Sequence, residues 1–175
     1  MNNLVVTVVG IIVLFGFSKA RSINDYPSEI DLNLSKVRKT PIQQCNSNLT
    51  VVNVQFFSRD KLCTEAPCQI YAGEEVFMVI NFKAPNYLEN ISPEFIINIG
   101  SGITIPFDIG QPNACDFFTN TMCPLVKDEP ISYKPSFKLP SVLPDKVTAS
   151  FQFSLVDKSE KIKVICFMLD FSVNR

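Results

Sequence analysis

In Val147-Thr148-Ala149-Ser150-Phe151-Gln152-Phe153-Ser154-Leu155-Val156, apolar and polar residues alternate almost one for one. Val147, Ala149, Phe151, Phe153 and Leu155 fall on one side; Thr148, Ser150, Gln152 and Ser154 fall on the other. Successive side chains of an extended chain point to opposite faces, so this period predicts a strand with one dry and one wet face. Such a strand belongs to an antiparallel sheet packed on one side only, as in a β-sandwich.

The same period recurs on either side of that stretch. Val52, Val54 and Phe56 alternate with Val51, Asn53 and Gln55. Val76, Met78, Ile80 and Phe82 share a face further on, and Phe95, Ile97 and Ile99 another. Gly100-Ser101-Gly102 then marks a turn before Ile103, Ile105, Phe107 and Ile109. Near the end, Ile165, Phe167, Leu169 and Phe171 oppose Ile162, Val164, Cys166 and Met168. No segment keeps a helical period across three turns. About seven short strands with turn signals between them predict an all-β sandwich of two antiparallel sheets. The plain reading of each apolar row is packed core.

The N-terminal stretch sets the context of the chain. From Leu4 to Phe17 the sequence is almost unbroken apolar, ending at Ser18-Lys19-Ala20 with small residues where signal peptidase cuts. Fourteen such residues fall short of the roughly 20 that span a bilayer. Residues 1–20 therefore read as a signal peptide, 21–40 as a polar extension, and 41–175 as one domain. The sequons at Asn33, Asn48 and Asn90 are candidate glycosylation sites on the same secretory route. The expected product is secreted, in extracellular fluid or the lysosome, and monomeric.

Composition excludes several functions. Losing Lys19 from the sixteen basic residues leaves 15 against 17 acidic ones, a balance that argues against nucleic acid. Histidine is absent, which removes histidine-based catalytic triads, acid switches and imidazole metal sites. Carboxylate pairs remain for an enzyme, but Asp128-Glu129 and Asp157 with Glu160 read as solvated turn charges. No enzyme, metal or cofactor is expected.

Six cysteines, Cys45, Cys63, Cys68, Cys115, Cys123 and Cys166, lie behind the leader. In an oxidising compartment they become cross-links. Fifteen connectivities are open to them, and sequence alone does not choose. Loop closure favours the short links Cys63–Cys68 and Cys115–Cys123, leaving Cys45 for Cys166. Their spacings are not the paired CxxC units of a zinc site.

Four stretches together resemble a known family. They are Cys45 before a valine-rich strand; Cys63-Thr64-Glu65-Ala66-Pro67-Cys68 followed by Gly73 and a strand; Ile105-Pro106-Phe107 leading to Cys115 and Cys123-Pro124-Leu125; and Tyr133 with Lys138-Leu139-Pro140, then Cys166-Phe167. From about Pro41 to Val173 the chain resembles the ML lipid-recognition domain family, in particular its Niemann-Pick C type 2-like sterol-transfer branch. The resemblance implies the disulfides Cys45–Cys166, Cys63–Cys68 and Cys115–Cys123. It also implies an immunoglobulin-like sandwich whose sheets splay to hold an apolar ligand in a cavity. Matched by position, the ligand-binding wall comprises Val76, Met78, Ile80, Ile105, Phe107, Tyr133, Leu139, Pro140, Leu143, Phe151, Phe153, Phe167 and Leu169.

The implied function is that of a carrier for a sterol, a fatty acid or another lipid, with transient docking to a membrane or membrane protein. Semiochemical transport and innate-immune lipid recognition are the alternatives. The latter calls for a cationic rim, for which Lys127, Lys134, Lys138 and Lys146 are the candidates.

Overall fold

The computed structural model describes residues 38–46, 49–50, 52–100, 102–141 and 143–175. The expected leader, most of the 21–40 extension and the sequons at Asn33 and Asn48 lie outside these residues.

Eleven strands are formed among the described residues: β1 (Gln43–Gln44), β2 (Asn53–Ser58), β3 (Lys61–Leu62), β4 (Cys68–Tyr71), β5 (Glu75–Lys83), β6 (Ile91–Ile99), β7 (Ile103–Pro106), β8 (Pro130–Tyr133), β9 (Ser136–Lys138), β10 (Thr148–Asp157) and β11 (Ile162–Asn174). A short 3₁₀ turn, Ala114–Phe117, is the one helical piece among the described residues, capped by the Asn113 side chain on the Cys115 amide. The first sheet runs β1-β11-β10-β6-β7, and β4 adds to β11 in parallel. The second runs β3-β2-β5-β8, with β9 also on β5. All other pairings are antiparallel.

The alternating rows land where the period puts them. Val54, Phe56, Val76, Met78 and Ile80 are sealed on the inner face of the second sheet, and Phe151, Phe153 and Leu155 on that of the first. In β11, by contrast, both faces are buried from Val164 to Phe167. The outward Cys166 is bridged to Cys45, whose amide also bonds the Cys166 carbonyl, and the Ser154 hydroxyl packs on its sulfur. All three disulfides have the connectivity that the resemblance implies, and no described cysteine is left free for a metal.

The sandwich has two unlike ends. At one, the chain crosses between sheets through an antiparallel bridge of Leu88 with Leu125, closed by backbone hydrogen bonds in both directions. There Leu88, Ile91, Leu125, Ile131, Leu155 and Ile165 are fully buried. At the other lie the β6–β7 turn, the β4–β5 crossing and the loop from β9 to β10. The last two touch: Gly73 has φ +78°, and a Cβ there would stand 2.8 Å from the Ser141 hydroxyl.

Two turn charges differ from the sequence reading. Asp157 is not solvated but 3% exposed, and its carboxylate accepts the Ser159 amide at 2.8 Å to hold the β10–β11 turn. Glu129 braces its loop rather than pairing with Asp128. It takes hydrogen bonds from the Thr121 hydroxyl and the Val126 amide, and both hold its carboxyl below the usual range.

Candidate functional site

Near the second end the inner faces enclose an apolar cavity. Its wall is Phe56, Ile70, Phe95, Ile97, Phe107, Phe137, Leu139, Leu143, Phe151 and Phe171, with no polar atom exposed to it. Six of these ten are phenylalanines, drawn from both sheets. Their rings form one contact network. Phe95 stacks on Phe151 at 4.5 Å and meets Phe137 edge-on at 4.9 Å; Phe107 closes a triangle with Phe95 and Phe137 at 5.7 and 5.8 Å. The space they leave is narrow, about 10 Å³, or room for about one water molecule.

Of the thirteen residues expected to line a pocket, Phe107, Leu139, Leu143 and Phe151 do so here. Val76, Met78, Ile80, Tyr133, Phe153, Phe167 and Leu169 are each at most 1% exposed and packed in the core, outside the wall; Val76 and Leu169 pair with the wall residues Phe137 and Phe151. Pro140 is half-buried beside the wall residue Leu139. Ile105 lies outside the wall, 43% exposed on β7, the edge strand of its sheet.

Phe56, Ile70, Phe95, Ile97, Phe137 and Phe171 line the cavity without having been singled out. Four of them stood in the alternating rows, where periodicity marks a residue as inward but not as cavity-facing. The usable clue was residue type. The inward residues at this end are mostly phenylalanine, whereas those at the far end are mostly leucine and isoleucine, with Phe82 among them.

The β6–β7 hairpin carries the apolar surface outward. Ile97 pairs with Ile105 and Ile99 with Ile103, so four isoleucines share the face that bears Phe107 and Phe95. Ile97 belongs to the cavity wall, Ile99 is half-buried and Ile103 is 56% exposed. The sequence from Phe95 to Phe107 contains no charged residue; Glu94 and Asp108 flank it.

Beyond β7 the chain leaves the first sheet and crosses to the second as a strap, residues 107–111. The Phe107 amide still bonds the Phe95 carbonyl at 2.8 Å. Asp108 then accepts the Gly110 amide at 2.7 Å, and Gly110, at φ +72°, turns the chain. Gln111 grips the second sheet: its Nε2 donates to the Ser136 carbonyl at 3.2 Å, and its Oε1 accepts the Tyr133 hydroxyl at 2.8 Å. A carbonyl can only accept, so the Ser136 contact fixes the amide's orientation and makes the phenol a donor. Burial pushes the Tyr133 hydroxyl well above its ordinary pKa, which keeps that donor proton in place. Beneath the strap is a groove of about 540 Å³ with Phe95, Phe107, Ile109 and Gln111 among its walls. Phe95 and Phe107 therefore stand between groove and cavity.

Charge plays a peripheral part. Arg59 forms a bidentate pair with Glu74 and lies over the Tyr71 ring at 3.4 Å. The hydrogen bonds from Arg59 hold the Glu74 carboxyl below the usual range. Lys127 lies in the loop after Leu125, Lys134 and Lys138 at β8 and β9, and Lys146 in the loop before β10, so the candidate cations do not belong to one element. Asn90 is exposed, and its carbonyl accepts the Lys158 amide.

Residues 39–173 match the family model described as ML domain, and the chain belongs to that family. A Niemann-Pick type C2 protein from the Japanese carpenter ant superimposes with a TM-score of 0.65 at 20% identity, covering 77% of this chain and 99% of that one. Chicken MD-1 complexed with lipid IVa gives 0.41 at 10% identity, covering 77% and 99%. No curated protein matches the chain significantly. The fold is thus the immunoglobulin-like sandwich of two antiparallel sheets with an apolar cavity between them.

Proposed function

We propose that the protein carries a hydrophobic small molecule between its sheets, with a sterol as the first candidate and a fatty acid or another lipid as the second. The observation that carries this reading is the wholly apolar, phenylalanine-rich wall at one end of the sandwich. A drug-sized guest occupies several hundred Å³, so uptake requires the rings of Phe95, Phe107, Phe137 and Phe151 to move apart. The energetics allow it. Fifteen buried carbons contribute about 12 kcal/mol gross at about 0.8 kcal/mol each. Micromolar capture needs about 8 kcal/mol, which leaves about 4 for opening the wall and ordering the guest.

The exposed isoleucines of the β6–β7 hairpin support transient docking to a membrane. They form an uncharged apolar ramp from solvent to the cavity wall, along which a guest passes without entering water. The disulfides and the leader-like sequence support export, as a monomer, to extracellular fluid or the lysosome, with glycosylation at the exposed Asn90. The ligand set comprises the cavity wall together with those expected residues that lie next to it.

Native mass spectrometry of protein purified from its source, followed by lipid extraction, identifies the guest. Phe107→Glu is expected to abolish uptake while secretion continues. Leu143→Glu, on a half-buried loop, tests the same wall if the first variant does not fold. Retention of the guest by a folded, charged-wall variant would sink the reading.

A further inference from the structure

The polar contacts of Gln111 have no evident role in filling space. Gln111 is 6% exposed and Tyr133 fully buried, with Phe118 and Phe153 against the Tyr133 ring. Burying an amide and a phenol is costly unless they are bonded, and once bonded they add little net stability. What such a pair supplies is position. Here it fixes the distance between two parts that a guest must separate. The strap is a covalent continuation of β7 in the first sheet, and Gln111 attaches it to β8 and β9 in the second.

We propose that Gln111 is a latch that limits how far the two sheets part at this edge, and so how thick a guest the cavity admits. The proposal rests on the carrier reading above and makes Gln111 and Tyr133 specificity-determining residues. The cavity now holds about 10 Å³, so any guest must widen it. A thin alkyl chain needs only the Phe95–Phe107 contact to open, which leaves the latch made. A fused-ring guest must also move Phe107 and Phe137 apart. Phe137 follows Ser136, the latch's acceptor, and Phe107 begins the strap, so that motion loads both Gln111 bonds.

Two variants of the full chain test this: Tyr133→Phe, which removes one hydroxyl and keeps the ring, and Gln111→Met, which keeps the length and removes both bonds. Hydrogen exchange of peptides covering 105–112 is expected to rise about three- to ten-fold in Tyr133→Phe, the factor associated with one buried hydrogen bond. Gln111→Met should raise it further, and the double variant no further than Gln111→Met alone. Binding of dehydroergosterol, a rigid fluorescent sterol, should tighten by a similar factor relative to cis-parinaric acid, a thin fluorescent chain. Unchanged exchange in the strap overturns the latch. Faster exchange with an unchanged sterol-to-chain ratio overturns its role in selecting guests. If the wild-type protein takes up neither probe, the carrier reading fails and selection by the latch falls with it, whereas exchange still reports whether the strap is held.

Discussion

The two ends of the sandwich are built from the same alternating strands but with different side chains. At the closed end, Leu88, Ile91, Leu125, Leu155 and Ile165 are sealed, and paired backbone bonds join Leu88 to Leu125. At the other end, Phe137, Leu139 and Ala149 are 6–8% exposed, Leu143 is half-buried, and the isoleucine row runs out into solvent. Branched aliphatic side chains interdigitate into a filled solid. Phenylalanine is a flat plate on two torsions and can swing as a unit. The same inward face is thus mostly aliphatic at the closed end and mostly aromatic around the cavity.

This contrast can be broken most directly by truncation. Leu155→Ala should cost about 2–5 kcal/mol of stability, the range for a buried leucine whose site cannot collapse. Leu143→Ala should cost less than about 1 kcal/mol, because part of its surface is already wet. Urea unfolding of the two variants measures both, and equal losses would remove the distinction between the ends. A smaller change sharpens it further. Ile105→Ser should stay within about 0.5 kcal/mol of the parent, yet slow transfer of a bound fluorescent sterol to neutral vesicles.

The two braced carboxylates give the smallest effects, one near each end. Glu74 and Glu129 both have folded-state pKa values below the ordinary glutamate value, Glu74 through Arg59 and Glu129 first through the Thr121 hydroxyl. A depressed pKa means that the charged form is favoured in the fold. The contribution is therefore complete above the unfolded-state value near 4.5 and disappears as pH falls through the lower folded value. Glu74→Gln and Glu129→Gln should each lower the urea midpoint slightly at pH 7. The difference from the parent should vanish in strongly acidic solution. A deficit that persists there would assign the effect to lost packing.

Much of the fold was legible because a period of two reports which way each side chain points. Val76 to Phe82 and Ala149 to Leu155 needed nothing more. β4 was not legible, since Cys68-Gln69-Ile70-Tyr71 is too short to show a period and pairs in parallel with a distant strand. The site was less readable than the fold. Inward apolar residues look alike in sequence whether they meet a neighbour or a cavity, so Met78 and Phe151 could not be separated. Gln111 was hidden for another reason: in Gly110-Gln111-Pro112 a polar residue reads as part of an exposed turn, and only the tertiary structure puts it against Tyr133. The exposure of Ile105 was not legible either, because sequence does not show that β7 is the edge of its sheet.

Gly73 sits where two inter-sheet crossings meet, with Ser141 against the space a side chain would need. The loop carrying Ser141 also carries Leu143, a wall residue. A methyl group at position 73 would force the Ser141 hydroxyl to turn away and would itself sit on backbone at φ +78°, where a side chain is strained. The close approach of the two crossings beside the cavity therefore depends on a residue that has only a hydrogen atom where others carry a side chain.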